Sequence, residues 1–268
     1  NAQTGMNYSF NGVTAGEDCP SIVLVHGAGG SHLDWPISWR TITSACQTEI
    51  KLTPGQGGQV LQDFPVYALD LPGHGESGSV GECTIEAYGH YVSEFLRIQK
   101  LKNVSLVGHS MGVAVALAAF LHEASGISSL VLIAGAARMD VSPDLLIGLR
   151  DTTQSTVAAI ARACWHISTP PMLRETVRRR MMMVGAETLL GDFSACATVD
   201  LYDQLCQVSV PVLVLAAKED RMISYDRVQG TADALPRSKL VSFEKCGHFL
   251  QTERSEEAAQ QIAKFLSN

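Results

Sequence analysis

Long apolar runs are missing from this chain. The longest unbroken one, Val113 to Leu121, stops well short of the ~18 residues that a membrane-spanning helix needs, so no membrane partner is expected. An excess of positive charge is missing too: 20 Lys and Arg face 27 Asp and Glu, for a net charge of −7. That balance leaves no electrostatic footprint for nucleic acid or for an anionic surface. Cysteines at metal-ligand spacing are absent. The seven cysteines (Cys19, Cys46, Cys83, Cys164, Cys196, Cys206 and Cys246) are scattered, and no Cys-x-x-Cys pair serves zinc or redox work. Reduced cysteines in a cytoplasmic protein are the expectation, with no metal and no cofactor. Cys246, near His248, reads as packing. No internal repeat, low-complexity tract or secretory signal pattern is present. The start at Asn1-Ala2 reads as processed or as an expression scar, which leaves a removed signal peptide open.

What is present is ordinary for a globular protein. The 268 residues, 46% hydrophobic and 18% charged, suffice for one large domain with a sizeable core. Short apolar runs read as buried strands: Ile22 to Val25, Val66 to Leu69, Val104 to Val107, Leu130 to Ile133, Val210 to Leu215 and Leu240 to Phe243. Helical patterns lie between them. Thr84 to Ile98 has Thr84 as N-cap and Ala87, Tyr91, Phe95 and Ile98 on one stripe. Gly112 to Leu121 is apolar all round, and Ser255 to Phe265 ends the pattern. Alternating strands and helices predict an α/β fold with a mostly parallel central sheet flanked by helices. The alternation breaks between about Arg138 and Gln207. There Asp144 to Ile160 and Pro171 to Val184 read as helices, separated at Pro170-Pro171. The expected division is a core of residues 1–137 and 208–268 with a helical cap, 138–207, inserted into it. Thr48 to Phe64 reads as a surface loop.

Gly108-His109-Ser110-Met111-Gly112 joins an apolar strand pattern to an apolar helix pattern. A turn that sharp forces its middle residue into strained backbone angles and leaves no room for side chains at 108 and 112. Ser110 would stand at the carboxyl end of the sheet, over a helix N-terminus that favours developing negative charge. The alternative is a Gly/Ser turn that only caps the helix. Serine needs a base. His248 follows the last strand in a loop at the same sheet edge. His26 and His74 sit in glycine-flanked turns, His109 is expected to point away, and His32, His90, His122 and His166 have no strand-end context. The imidazole in turn needs an orienting carboxylate. Asp220 follows Val210 to Leu215, with Glu219 as its rival and Asp140 more distant. An oxyanion would need two N–H donors. Met111 is one, and the loop His26-Gly27-Ala28-Gly29-Gly30 supplies the other, Ala28 first and Gly29 next. No Gly-Lys-Ser/Thr follows that loop, and Gly-x-Gly-x-x-Gly is read as absent, so nucleotide binding is not expected.

These pieces, with Asp70-Leu71-Pro72-Gly73-His74-Gly75-Glu76-Ser77 and Gly247-His248-Phe249, resemble the α/β-hydrolase superfamily in its esterase/lactonase branch with a helical cap. The resemblance implies Ser110, His248 and Asp220 as a triad, Ala28 and Met111 as oxyanion donors, and a structural turn at Asp70 to Ser77. It implies hydrolysis of a carboxylic ester or related acyl compound through an acyl-serine intermediate. A lactonase, carbon–carbon hydrolase, thioesterase, acyltransferase or non-catalytic ligand receptor stays open. Serine at 110 sets the chain apart from relatives with an aspartate nucleophile. His109 and Phe249 stand where many carbon–carbon hydrolases carry asparagine and tryptophan, and Val113 where many relatives have glycine. Gly29, His32, Trp35, Trp165 and Phe249 are expected to line the substrate pocket. Arg178-Arg179-Arg180 reads as an anion site or a solvated helix face. A homodimer is allowed for.

Overall fold

A computed structural model of the chain describes residues 5–13, 20–40, 61 and 64–267. Cys19, Cys46 and nearly all of the expected loop from Thr48 to Phe64 lie outside the described residues. In chain order the elements are β1 (Asn7–Phe10), β2 (Ser21–Val25), α1 (Ile37–Arg40), β3 (Val66–Asp70), α2 (Ile85–Ile98), β4 (Val104–His109), α3 (Met111–His122) and β5 (Ile127–Ile133). They continue with α4 (Pro143–Asp151), α5 (Thr153–Ala163), α6 (Pro171–Val184), α7 (Ala186–Thr198), β6 (Val212–Ala217), α8 (Tyr225–Ala234), β7 (Ser238–Phe243), α9 (Leu250–Glu253) and α10 (Ser255–Leu266).

The strands form one sheet in the order β1-β3-β2-β4-β5-β6-β7. All neighbours are parallel except β1, which pairs antiparallel to β3 and was not legible as a strand. Strand alternation feeds two apolar layers. Val23, Val25, Leu106, Leu130 and Val214 pack with α2 and α3 on one face. Ile22, Leu24, Val107, Val131 and Leu215 pack with Trp35, Trp39 and α10 residues Ala258 and Ile262 on the other. The chain runs outward from β2 to β3, then returns to place β4 on the other side of β2. Such a switch opens a crevice beyond the carboxyl ends of β2 and β4, the usual place for a ligand in an open α/β sheet.

Thr84 does cap α2, its hydroxyl accepting the Ala87 N–H at 3.2 Å. The buried stripe differs from the expected one: Ile85, Tyr88, Val92, Phe95 and Leu96 face inward, and only Phe95 of the expected set is among them. The helix is rotated because α3 lies against it so closely that a Cβ on Gly89 would meet Ala118 and Ala119. A Gly-x-Gly-x-x-Gly spacing does occur at Gly73 to Gly78, but the next helix starts only at Ile85, so no helix N-terminus sits behind it.

Between β5 and β6 come four helices, α4 to α7. An isolated bridge between Arg138 and Asp200 and their 3.1 Å ion pair clasp the base of this segment. Its apolar residues, among them Leu149, Ile160, Trp165, Val177, Met181, Leu189 and Phe193, form a third cluster that also takes in Phe249. The single helix expected over Asp144 to Ile160 is two. The chain leaves helical angles at Thr152 (φ −142°, ψ 50°), and Gly148 lets α5 approach, since a Cβ there would lie 2.6 Å from the Thr156 hydroxyl. Helices α7 and α8 were not anticipated. Among the described residues no helix is long and apolar enough to cross a membrane.

Candidate active site

Ser110 sits between β4 and α3 with φ 55° and ψ −122°, backbone angles that a non-glycine residue rarely holds. The surroundings hold them in place. The Ser110 N–H bonds to the Ile133 carbonyl at 3.0 Å, and its own carbonyl accepts the Val113 N–H at 2.9 Å. A Cβ on Gly108 would collide with the Gly112 carbonyl, and one on Gly112 with the Val25 carbonyl. Both glycines are therefore steric requirements of the turn. Val113 is accommodated by Gly135, where an added Cβ would lie 2.5 Å from a Val113 methyl and 2.5 Å from the Ser110 carbonyl.

The turn brings three distant side chains together. Ser110 Oγ lies 2.8 Å from His248 Nε2, and His248 Nδ1 lies 2.8 Å from Asp220 Oδ2. The His248 and Asp220 side chains are almost wholly buried, at 5% and 1% exposed. Asp220 is fixed on its other oxygen, which accepts the Met222 N–H at 2.7 Å and the Ile223 N–H at 3.1 Å. Its rival Glu219 is exposed, and Asp140 is bound in a bidentate pair to Arg227. This arrangement can carry a proton from the serine to an imidazole whose charged form is stabilised.

The loop after β2 runs against the serine: a Cβ on Gly27 would lie 2.9 Å from Ser110 Cβ and 3.3 Å from its Oγ. Among the described residues, neither the Ala28 N–H nor the Met111 N–H has a hydrogen-bond partner in the protein. Gly29 is different, because its N–H is taken by Asp192 Oδ2 at 2.7 Å. Of the two candidate donors in the loop, Ala28 is the one left unoccupied.

Several supporting contacts were not legible in the sequence. His26 Nδ1–H donates to the Gly27 carbonyl at 2.8 Å, while its Nε2 accepts the Leu71 N–H at 3.1 Å. One donor and one acceptor describe a neutral ring. Burial, with the charge of His74, brings its pKa down to about 4. His109 does not simply point away, as expected. It is buried, and its Nε2–H donates to the His248 carbonyl at 2.9 Å, with the two rings 4.9 Å apart. Burial holds its pKa far below the ordinary histidine value, so it acts as a fixed neutral donor. Glu253 binds the Gly247 N–H at 2.5 Å and the His166 N–H at 3.0 Å, tying the His248 loop to the loop between α5 and α6. Cys246 is packing, buried and with its thiol pushed up to about 12 by burial.

A cavity of about 600 Å³ opens over Ser110 and His248, with Gly29 and Phe249 in its wall. Ile160, Val177, Met181 and Phe193 from α5, α6 and α7 also line it. His32, Trp35 and Trp165 do not line it, contrary to expectation. His32 is drawn to Asp70, its Nδ1 lying 2.9 Å from the carboxylate. Trp35 is core, stacked on Trp39. Trp165 lies behind Phe249, rings stacked at 4.7 Å. Of the arginine run, Arg178 and Arg179 pair with Glu175 on their own helix. Arg180 alone reaches the cavity, where it bonds Asp34 at 2.9 Å and the Leu33 carbonyl at 2.7 Å.

The alpha/beta hydrolase family description matches residues 22–261, a span that holds the sheet from β2 onward, the serine turn and the His248 loop. The chain belongs to the alpha/beta hydrolase family. Among curated members it is 26% identical over 262 residues to the pimeloyl-[acyl-carrier protein] methyl ester esterase of Vibrio cholerae serotype O1, covering 91% of this chain and 93% of that protein. It is 24% identical over 282 residues to a 2-hydroxy-6-oxononadienedioate/2-hydroxy-6-oxononatrienedioate hydrolase of Paraburkholderia phymatum, covering 98% and 92%. Among solved hydrolase structures, the enol-lactonase from Burkholderia xenovorans LB400 superposes with a TM-score of 0.83 at 21% identity, covering 98% of this chain and 96% of that one. An esterase from Exiguobacterium antarcticum superposes at 0.82 with 18% identity, covering 98% and 96%. At these identities the structural likeness speaks for the shared hydrolase fold.

Proposed function

We propose that this alpha/beta hydrolase cleaves carboxylic esters through an acyl-Ser110 intermediate. One observation carries the reading: Ser110, His248 and Asp220 are joined by two 2.8 Å hydrogen bonds at the end of the sheet. Ser110 Oγ attacks the ester carbonyl as His248 Nε2 takes its proton. Ala28 and Met111 N–H groups receive the oxyanion. His248 then protonates the leaving alcohol and, in the second half, activates water. Asp220 holds the ring in the tautomer that leaves Nε2 unprotonated and stabilises the imidazolium.

In this reading residues 138–207 form a cap on a core of residues 1–137 and 208–268, and the cap selects the acyl group. The apolar wall supports neutral acyl chains. Arg180 supports no anion site, because Asp34 already neutralises it at 2.9 Å. Arg221, also in the wall, is bonded to the Arg162 and Trp165 carbonyls. Asp140 is likewise neutralised by Arg227, while Asp144 adds negative charge to the lining. A p-nitrophenyl ester panel is therefore expected to favour butyrate or hexanoate over the succinate half-ester by about tenfold or more in kcat/KM, roughly the 1.4 kcal/mol of one uncompensated charge contact. Preference for the succinate ester would return Arg180 to substrate binding. A fluorophosphonate should label the parent at Ser110, located by peptide mass spectrometry. Intact protein that never reacts would favour a ligand receptor over an esterase.

A further inference from the structure

The oxyanion loop is not held by the core alone. His26 and the Gly30 N–H, 3.1 Å away, fix the carbonyl of Gly27 and hence the peptide that carries the Ala28 N–H. The next peptide, which carries the Gly29 N–H, is fixed by Asp192. Asp192 belongs to α7, and its side chain is wholly buried. Leu189, one turn earlier on α7, presses on the same spot, since a Cβ on Gly29 would lie 2.5 Å from its methyl. Gly29 itself has φ +65°, a conformation that gives other residues strain. The loop is thus folded tightly against a helix from the segment between β5 and β6.

A buried carboxylate needs compensation. Asp192 has it from two core elements. His74 Nε2–H donates to Oδ2 at 2.9 Å, and the Tyr88 hydroxyl donates to Oδ1 at 2.7 Å. The other nitrogen of His74 faces the Pro72 carbonyl at 2.9 Å. Both ring nitrogens therefore donate, which describes an imidazolium. Burial works against charge on His74, but the Asp192 carboxylate outweighs it and raises the pKa above the ordinary value. The neutral His26 and the charged His74 stand 4.8 Å apart, and their partners alone distinguish their roles.

We propose that Asp192 is a positioning residue for ester hydrolysis: clamped by His74 and Tyr88, its carboxylate holds the Gly29 N–H and so sets the aim of the neighbouring Ala28 N–H at the oxyanion. This inference rests on the esterase reading. An oxyanion donor works through placement, and losing one outright costs about 10²- to 10³-fold in kcat. Displacing one costs less. The effect falls on the transition state, because that is where negative charge develops on the oxygen that the donor meets.

The test measures kcat and KM for p-nitrophenyl butyrate, and Ki for a butyl trifluoromethyl ketone, on the parent, Asp192→Asn and Tyr88→Phe. Asp192→Asn is expected to lower kcat about 10- to 100-fold with KM within about threefold, and to raise Ki for the ketone in the same proportion. A folded Asp192→Asn protein with parental kcat, or one whose loss lies in KM alone, would overturn the proposal. If that variant does not fold, Tyr88→Phe decides. A fall in kcat of about threefold or more at constant KM supports the clamp, and an unchanged kcat overturns it. A parent inactive on esters would take down the esterase reading and this inference with it. An active parent with an unaffected variant takes down this inference alone.

Discussion

Ser110→Ala is expected to lower p-nitrophenyl butyrate turnover by at least about 10⁴-fold, the scale seen when a triad nucleophile is removed. The fold should survive, because the Ser110 side chain's hydrogen bond is to His248 Nε2, a group at the cavity wall. The backbone bonds of residue 110 to Ile133 and Val113 do not involve the hydroxyl. The flanking glycines that permit the strained angles are untouched. Thermal unfolding within a few degrees of the parent, together with initial rates, checks both halves. Retention of more than about 1% of parental turnover, far above the residue of oxyanion and binding effects, would remove Ser110 as the nucleophile.

Asp220→Asn is expected to lower kcat by about 10⁴-fold, while Glu219→Gln leaves it within about threefold. The asymmetry comes from how Asp220 is held. Its Oδ1 accepts two backbone N–H groups, from Met222 and Ile223. In the asparagine variant the amide oxygen must stay with those donors, so the NH₂ faces His248 Nδ1. Two donors cannot meet there. The ring turns to the tautomer with hydrogen on Nε2, which cannot take the serine proton. Glu219 is exposed and has no such place. Steady-state rates of the two variants decide between them, and a larger loss in Glu219→Gln would reassign the orienting acid.

These neighbours also mark how far a sequence can be read. That one of Glu219 and Asp220 should orient the histidine follows from the end of β6. Which one depends on the side chain that meets His248, 28 residues further along the chain, and that meeting is set by tertiary packing. The strained serine was legible because its requirement is local, with glycines at 108 and 112 and apolar runs on both sides. Edge strand β1 was not, because four residues paired to β3 alone give only a brief alternation of Tyr8 and Phe10. Asp192 left one overlooked trace. It sits with Leu189, Phe193 and Cys196 on a helical apolar stripe, where a charged residue should prompt a search for a partner. The partners, Gly29, His74 and Tyr88, lie far away in the chain.

The sequence by itself determined the α/β layering, the serine turn and the order in which Ser110, Asp220 and His248 follow one another. Each of these rests on backbone sterics or apolar periodicity, which act over a few residues. The tertiary structure decided the rest: that Asp220 and not Glu219 meets His248, that the Gly29 N–H is taken by Asp192, and that His32, Trp35 and Trp165 stay out of the cavity wall. It also neutralised Arg180 with Asp34 and tied the loop after β2 to α7 through Asp192. Those outcomes depend on which buried polar group finds which partner. That is fixed only when segments distant in the chain pack together and water is excluded between them.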